Sequence, residues 1–127
     1  MFFDKRPTKY VLIAGSRDFG DYRTAKKYID FCLENIRKQY KIIIISGGAK
    51  GADKLGERYA HENRIKCIYY YPDWEKYGKS AGPRRNSEMV KKADYVICFW
   101  DGESRGTRST INFTKQMKKP LRIKYII

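Results

Sequence analysis

The chain has 127 residues, and its 28 Lys and Arg against 14 Asp and Glu give a formal net charge of +14. This length predicts one domain, residues 1–127, which can bury a core without a disulfide or a structural metal. With 33% charged and 42% hydrophobic residues, and no apolar run near the roughly 20 residues of a membrane span, the composition excludes a disordered tail and a membrane protein. The three cysteines form no CxxC pair, which favours reduced thiols and a cytoplasmic location.

Basic residues are in excess along the whole chain, most clearly near its end. After Glu103 the sequence contains seven Lys or Arg and no acidic residue. Such an excess attracts phosphate-bearing partners, and it predicts weak, nonspecific binding to polyanions. A solvated basic surface that serves solubility is the alternative interpretation of the same pattern.

The chain alternates short apolar strands with amphipathic helices. Each predicted strand is a short apolar run, and each predicted helix carries apolar residues at helical spacing. Asp21 is the predicted N-cap of the first helix, and Pro120 ends the last one. In chain order the predicted elements are strand 10–14, helix 21–36, strand 42–45, helix 52–63, strand 66–70, loop 72–83, helix 84–92, strand 95–99, helix 107–118 and strand 121–126.

This order of elements predicts an α/β protein. The expected architecture is a single Rossmann-like three-layer sandwich, with a mostly parallel five-stranded sheet and helices on both faces. In such sheets ligands bind beyond the carboxyl ends of the strands. Three of those ends lead into polar, glycine-bearing loops, at residues 15–17 (GSR), 46–53 (SGGAKGAD) and 100–107 (WDGESRGT). We therefore expect a site where these loops meet.

The residue types in these loops favour phosphate binding. Glycine lets the backbone approach a ligand closely and adopt positive φ, and the helices that follow the last two loops offer unpaired N–H groups. The Thr107 hydroxyl is predicted to cap its helix or to bind a phosphate oxygen. The second loop is neither a Walker A nor a GxGxxG motif, so a tight strand-to-helix turn is its alternative interpretation. The predicted ligand-binding residues are Gly15, Ser16, Arg17, Gly47, Gly48, Lys50, Gly51, Asp53, Gly106, Thr107 and Arg108.

Several side chains near these loops have two interpretations. Asp53 either binds ribose hydroxyls or is a carboxylate favoured by the helix dipole. Trp100 and Trp74 are candidates for base stacking, with an ordinary core or lid aromatic as the alternative. The tyrosines at 69–71 are expected to pack the strand rather than to stack on bases. His61, the only histidine, is expected to be solvated late in its helix.

No metal site or cofactor is predicted. The cysteines and the single histidine form no zinc-binding set. Mg²⁺ is compatible with a phosphate ligand, although no motif indicates it. The sequence indicates no membrane partner, and it leaves a homo-oligomer open.

Four stretches of the chain carry a family resemblance. In chain order they are residues 15–17, residues 47–53, the segment from Trp74 through YGKSAGPRRN (77–86) to Met89, and residues 106–108. Together they resemble the YspA-like, cpYpsA-related branch of the SLOG superfamily. Its relatives include the cytokinin-activating phosphoribohydrolases, sensors of nucleotide-derived signals in bacterial defence, and the single-strand-binding core of DNA-processing protein A. The resemblance implies a pocket for a nucleotide or nucleotide derivative, with its phosphates at the glycine loops. We expect Arg85 to reach this pocket and Asn86 to orient the ligand or Arg85.

One position departs from the phosphoribohydrolase pattern. Arg85, with Met89 four residues on, matches the arginine of those enzymes, but counting their GTxxE motif from Gly106 puts Thr110 where they carry glutamate. An acid that activates water or stabilises an oxocarbenium-like centre is therefore missing at that place. Arg85 and Glu88 are the catalytic candidates if the protein is an enzyme. The acids that can replace the glutamate are Glu103, Glu88 and Asp53.

Three classes of function follow from these observations. The preferred class is the binding or sensing of a nucleotide or nucleotide-derived small molecule. The second is a hydrolase that cleaves an N-glycosidic or phosphate bond of such a ligand. The third is single-stranded nucleic-acid binding, which the charge favours but no RRM, KH or zinc-finger motif supports.

Overall fold

The structure, a computed structural model, describes residues 4–126, and this range holds five strands and six α-helices. The strands are β1 Thr8–Gly15, β2 Lys41–Ser46, β3 Lys66–Tyr69, β4 Tyr95–Trp100 and β5 Leu121–Tyr125. The helices are α1 Tyr22–Leu33, α2 Ile36–Gln39, α3 Ala52–Glu62, α4 Trp74–Tyr77, α5 Ala81–Lys92 and α6 Arg105–Gln116. Within the described range no helix is long and apolar enough to cross a membrane.

The five strands form one sheet in the order β3-β2-β1-β4-β5, and every neighbouring pair is parallel. The predicted α/β sandwich with a five-stranded sheet is confirmed. The central strands are buried on both faces, as a parallel sheet with helices on both sides requires. The strand order reverses between β1 and β4, whose carboxyl ends pair at Gly15 and Phe99. This is the place where such sheets bind ligands.

Two apolar layers lie on opposite faces of the sheet. The first packs α1 and α3 on the sheet through residues such as Ile29 and Tyr59. The second packs α5 and α6 through residues such as Met89 and Ile111. Burying a large apolar side chain contributes about 1.5 to 3 kcal/mol. This packing therefore holds the helix starts that face the carboxyl edge of the sheet.

Residues 72–83, predicted to be a loop, are largely helical, so that prediction is wrong. The carboxylate of Asp73 caps α4, because it accepts a hydrogen bond from the Lys76 N–H at 3.1 Å. Gly78, with a φ of 55°, ends α4, and a single 3₁₀ turn then leads into α5. Pro83 lies in the first turn of α5, where its missing N–H would have no partner within the helix. The proline therefore does not interrupt the helix.

The first predicted helix begins as expected but is divided near its end. The Asp21 carboxylate accepts a hydrogen bond from the Thr24 N–H at 3.1 Å, which confirms the predicted cap of α1. Helix α1 ends at Leu33, and the short α2 follows at Ile36–Gln39.

The last helix begins two residues earlier than predicted. Helix α6 starts at Arg105, with Ser104 as its N-cap residue. Thr107 is therefore inside the first turn and is buried, so the prediction that it caps the helix is wrong.

Candidate functional site

A cavity of about 450 Å³ opens where the loops after β1, β2 and β4 meet α5. It lies at the carboxyl ends of β1 and β4, where the strand order reverses, and we call it the edge pocket. Its wall combines charged side chains with glycine, alanine and hydroxyl-bearing residues. The lining residues are Ala14, Gly15, Arg17, Asp18, Ala49, Lys50, Asp53, Arg85, Asn86, Met89, Ser104, Arg105, Gly106, Thr107 and Thr110.

Ser16 joins the three loops behind the edge pocket. Its N–H donates to the Phe99 carbonyl at 2.9 Å, and its own carbonyl accepts from the Ala52 N–H at 3.1 Å. Its hydroxyl oxygen accepts from the Asp101 N–H at 3.2 Å. Because Ser16 is only 2% exposed, it positions the loops and does not line the cavity.

The loop after β2 is a tight turn that depends on glycine. Gly48 and Gly51 have φ angles of 72° and 83°, which side-chain-bearing residues rarely adopt. A Cβ at Gly51 would also collide with two carbonyl oxygens of the loop after β1. Gly47 does not have a positive φ. A Cβ there would lie 2.8 Å from Arg85 Nη1 and 2.9 Å from Asp53 Oδ2, so its missing side chain lets these two groups approach the turn.

Arg85 and Asn86, in the second turn of α5, link the loop after β2 to the start of α6. Arg85 Nη1 donates to the carbonyl oxygens of Gly47 at 2.7 Å and Tyr70 at 3.3 Å. Arg85 Nε donates to Asn86 Oδ1 at 2.9 Å, and Asn86 Nδ2 donates to the Gly106 carbonyl at 3.4 Å. The guanidinium is therefore held in one place by backbone and side-chain acceptors.

Asp53 is a buried acid in the wall of the edge pocket. Its side chain accepts a hydrogen bond from the Ala49 N–H at 3.2 Å, and the residue is 6% exposed. Burial raises the pKa of the Asp53 carboxyl to about 6, while the Ala49 N–H and the Arg85 charge act in the opposite direction. Burial likewise lowers the pKa of the Arg85 guanidinium from 12.5, and the Asp53 charge opposes that change. The pocket thus brings a cation close to an acid whose pKa is about 6.

The loop after β4 is organised by Asp101. Its carboxylate accepts hydrogen bonds from the N–H groups of Glu103 at 2.8 Å and Ser104 at 2.7 Å, and from the Ser104 hydroxyl at 2.8 Å. These hydrogen bonds lower the pKa of Asp101 to about 2. The N–H of Arg108 makes the first hydrogen bond of α6, to the Ser104 carbonyl at 3.1 Å. The N–H groups of residues 105–107 are therefore not used by the helix itself.

Positive charge exceeds negative charge in the edge pocket. Its basic side chains are Arg17, Lys50, Arg85 and Arg105, and its acidic ones are Asp18 and Asp53. The N-terminus of α6 adds the partial positive charge of its helix dipole, about half an elementary charge. This arrangement attracts an anion that has several acceptor oxygens. Within residues 4–126, no three His, Cys, Asp or Glu side chains are placed to hold a metal ion.

The structure separates the predicted ligand-binding residues into those that line the edge pocket and those that do not. The lining group is Gly15, Arg17, Lys50, Asp53, Arg85, Asn86, Gly106 and Thr107. The residues that shape the surrounding turns without lining the cavity are Ser16, Gly47, Gly48 and Gly51. Arg108 points elsewhere: its guanidinium carbon lies 5.6 Å from the ring centroid of Trp100, and its Nη2 donates to the Gly102 carbonyl at 3.3 Å.

The two tryptophans considered for base stacking lie outside the edge pocket. Trp74 is on α4 and 57% exposed. Trp100 packs against Tyr125, with 5.9 Å between the ring centroids. Glu88 lines a neighbouring cleft, which shares Arg85 with the edge pocket. None of these three side chains reaches the cavity.

Some lining residues were not selected from the sequence. Asp18 directly follows the predicted loop 15–17, whereas Ala49, Ser104 and Arg105 lie inside the predicted loops 46–53 and 100–107 but were not selected as ligand-binding residues. Met89 carries no comparable signal as a lining residue, since it reaches the cavity through the packing of α5. Thr110 also lines the cavity, so the position that bears glutamate in the phosphoribohydrolases faces the edge pocket here.

The fold and the pocket define a Rossmann-like α/β protein whose candidate site lies at the carboxyl edge of its parallel sheet. Residues 9–77 match the YspA, cpYpsA-related SLOG family, and the chain belongs to that family. The match includes the loops after β1 and β2, whereas α5 and α6 lie beyond it. The chain is also 39% identical, over 104 residues, to the gene 61 protein of Mycobacterium phage D29, covering 77% of this chain and 82% of that protein.

Solved structures of DNA processing protein A share the fold. The Streptococcus pneumoniae protein has a TM-score of 0.67 and 20% identity, covering 94% of this chain and 50% of its own. The Helicobacter pylori protein has a TM-score of 0.67 and 22% identity, covering 93% and 65%. The chain therefore spans only part of each of these longer proteins, and at such identity the likeness shows the fold alone.

Proposed function

We propose that the edge pocket binds or senses a nucleotide-derived small molecule, with the phosphate at the start of α6. The observation that carries this proposal is the convergence of four basic side chains on one cavity that also contains the unused N–H groups of α6. Helix N-termini and charged donors are the groups that proteins use to bind phosphate. The volume of about 450 Å³ falls within the range of about 300–1,000 Å³ typical of small-molecule sites.

The phosphate fits best beside Gly106 and Thr107. A Cβ added at Gly106 would have nothing within 4 Å, so there is open space next to this part of the backbone. A phosphate oxygen in that space would accept hydrogen bonds from the N–H groups of α6, and Lys50 and Arg17 line the same cavity. Asp53, as a carboxylate, would accept hydrogen bonds from ribose hydroxyls.

Two comparisons support this assignment at a general level. The chain belongs to the SLOG family, and the Helicobacter pylori DNA processing protein A, which shares the fold, binds single-stranded DNA. A phosphate-bearing ligand is common to both a nucleotide and a nucleic acid. The volume of the edge pocket, about 450 Å³, favours the small molecule.

Replacing Arg85 tests the proposal. A charged hydrogen bond contributes about 1.5 to 3 kcal/mol, so Arg85→Ala should weaken the binding of a nucleoside 5′-monophosphate by roughly 10- to 150-fold in calorimetry. Arg85→Lys keeps the charge but loses the planar guanidinium, so its affinity should lie between those of the parent protein and Arg85→Ala. The matched control is Arg23→Ala, an exposed arginine on α1. A loss below about threefold in Arg85→Ala, with the fold intact, would make Arg85 a structural residue.

Native mass spectrometry of freshly purified protein provides an independent test. We expect a co-purified mass that corresponds to a nucleotide or nucleotide derivative and that Arg85→Ala reduces. Titrations with Mg²⁺ and with a chelator will show whether the ion accompanies the phosphate.

A hydrolase is the second candidate, because Asp53 places an acid with a pKa of about 6 in the pocket. General acid–base catalysis contributes about 10²- to 10⁴-fold and needs such a group within reach of the scissile bond. Since Thr110 replaces the glutamate, we expect base release from adenosine, guanosine and cytidine monophosphates to be far slower than about 1 per second. Faster release that Asp53→Asn abolishes would establish a hydrolase centred on Asp53, and loss in Glu88→Gln would place the acid at Glu88.

A further inference from the structure

A second cleft adjoins the edge pocket, and Arg85 lines both. This cleft, of about 340 Å³, lies between α5 and the segment that follows β3, and we call it the tyrosine cleft. Its wall includes Tyr71, Tyr77, Arg84 and Glu88. Arg85 donates to the carbonyl oxygens at the ends of β2 and β3, so its charge is held at the boundary between the two cavities.

Tyr71 presents an aromatic surface to solvent in this cleft. It is 68% exposed and lies beyond the end of β3, so the expectation that the tyrosines at 69–71 pack the strand is wrong for Tyr71. The ring lies against Gly48, where an added Cβ would be 2.6 Å from the Tyr71 ring. The ring of Tyr69 is parallel to it, at an interplanar angle of 2° and a centroid distance of 6.0 Å. These contacts orient Tyr71 while leaving much of it free.

Cationic side chains line the tyrosine cleft together with its aromatic rings. The guanidinium carbon of Arg84 lies 4.4 Å from the ring centroid of Tyr77, and Arg84 Nε donates to Ser80 Oγ at 3.1 Å. The basic side chains that line the cleft are Arg84, Arg85 and Lys91, against Asp73 and Glu88. The Asp73 carboxylate is already occupied as the cap of α4. Exposed aromatic rings interleaved with cations are the surface on which proteins stack bases and bind the sugar-phosphate backbone.

We propose that the tyrosine cleft is a second nucleotide subsite, so that the protein takes a ligand of two nucleotide units joined through phosphate. This inference rests on the proposed function, since the first unit occupies the edge pocket. The bridging phosphate lies at Arg85, the second base stacks on Tyr71, and Arg84 and Lys91 bind the second phosphate or ribose. Glu88 supplies an acceptor for a hydroxyl or an amino group of the second unit.

Calorimetry with the four nucleoside 5′-monophosphates and the four matching 5′-phosphorylated homodinucleotides tests this inference. Stacking of one base on an aromatic ring increases affinity by roughly 5- to 150-fold. At least one dinucleotide should therefore bind more tightly than its monophosphate by a factor in this range. Tyr71→Ala should remove this advantage and leave monophosphate affinity unchanged within about twofold. Tyr77→Ala serves as a second variant should the first fail to fold. Phe31→Ala, which removes an aromatic that is 65% exposed on α1, is the matched control.

The possible results separate the subsite from the edge pocket. Equal affinities for mono- and dinucleotides would overturn the second subsite and leave the proposed function standing. Equal loss of both ligands in Tyr71→Ala and in Tyr77→Ala would also overturn it, because the rings would then only support the loops. If none of the eight ligands binds, both proposals are overturned.

An oligonucleotide distinguishes the two sources of such a ligand. If a single strand of about ten nucleotides binds no more tightly than the dinucleotide, the two subsites complete the site, and a free dinucleotide is the ligand class. If the strand binds more tightly and still depends on Tyr71, the two subsites are part of a longer single-strand path. Both results keep the second subsite.

Discussion

Asp53 carries a charge that opposes folding near neutral pH. Its pKa is about 6 in the folded protein, against 3.8 for an ordinary aspartate. The folded state therefore holds this proton more tightly than the unfolded chain, and the free energy of unfolding decreases as the pH rises from about 4 to about 6. A difference of this size corresponds to about 3 kcal/mol. Functional sites retain buried acids of this kind for binding or chemistry, although the buried charge lowers the free energy of unfolding.

The variant Asp53→Asn removes the charge and keeps the acceptor for the Ala49 N–H. At about pH 7.5 we expect its free energy of unfolding to exceed that of the parent protein by about 1 to 3 kcal/mol, and at about pH 4 the difference should vanish. Urea unfolding at several pH values measures this. Asp18→Asn, which changes an exposed acid at the same pocket, is the control. A difference that does not vary with pH would contradict the burial of the Asp53 charge.

Gly51 and Gly106 belong to loops of the same pocket but have different surroundings. Gly51→Ala forces a side chain onto a φ of 83° and into two carbonyl oxygens, so we expect a loss of at least about 2 kcal/mol of stability. Gly106→Ala meets nothing within 4 Å and gains helix propensity, so its stability should be equal or up to about 1 kcal/mol higher. Urea unfolding measures both. Ligand affinity should nevertheless fall in Gly106→Ala, because the methyl group occupies the space assigned to the phosphate. Similar destabilisation in the two variants would contradict the contacts described for Gly51.

At the scale of the elements, the start of α6 depends on the turn that Asp101 closes. Three hydrogen bonds to its carboxylate hold the backbone that precedes the helix. Because these bonds lower its pKa to about 2, their contribution to stability is present above about pH 4 and is lost as the pH falls towards 2. The same turn sets the direction of the N–H groups proposed to bind phosphate.

Replacing Asp101 by Ala should loosen this turn without unfolding the sheet. We expect faster hydrogen exchange at residues 103–107 and weaker nucleotide binding, since the donors of α6 would no longer be held in place. Asp73→Ala is the matched control, because the Asp73 carboxylate also holds a helix start, that of α4, but does not line the edge pocket. If both variants reduced monophosphate affinity equally, the effect would come from general destabilisation and not from the phosphate site.

At the scale of the whole molecule, the net charge of +14 acts on every polyanion. Binding that depends on surface cations and released counterions weakens steeply with salt, whereas contacts inside a pocket are screened less. The affinity for a single strand and the affinity for a small nucleotide should therefore respond differently to salt.

A salt titration distinguishes the two modes of binding. Between about 50 and 200 mM salt, we expect the affinity for a single strand of about 20 nucleotides to fall by orders of magnitude, and the affinity for a monophosphate or dinucleotide to fall much less. Fluorescence anisotropy and calorimetry measure the two affinities. Submicromolar binding of the strand at physiological salt, with a defined number of nucleotides per protein, would instead favour a nucleic-acid-binding protein.

The sequence by itself determined the alternation of elements and the edge of the sheet that holds the site. Buried strands are recognisable because an apolar run such as 42–45 suits a sheet covered on both faces, and the loops are marked by glycine. Helix boundaries were less accurate, because caps such as Asp73 and Ser104 depend on the conformation of the turn before the helix. The helical segments within residues 72–83 were not predicted for this reason. Proline and glycine are typical of loops, yet here Pro83 lies at the beginning of a helix and Gly78 at the end of one.

Only the tertiary structure decided which side chains meet. Arg85 and Asp53 lie far apart in the chain, and they meet at Gly47 because the Arg85 side chain of α5 reaches the turn that leads into α3. Ser16 lies behind the pocket and Tyr71 lies against Gly48 through contacts between segments that are distant in sequence. Residue spacing specifies which face of a strand or helix is buried. It does not specify which strand lies next to another or how closely a helix packs on the sheet. These two features of the tertiary structure determine whether a polar residue lines a cavity or supports its wall.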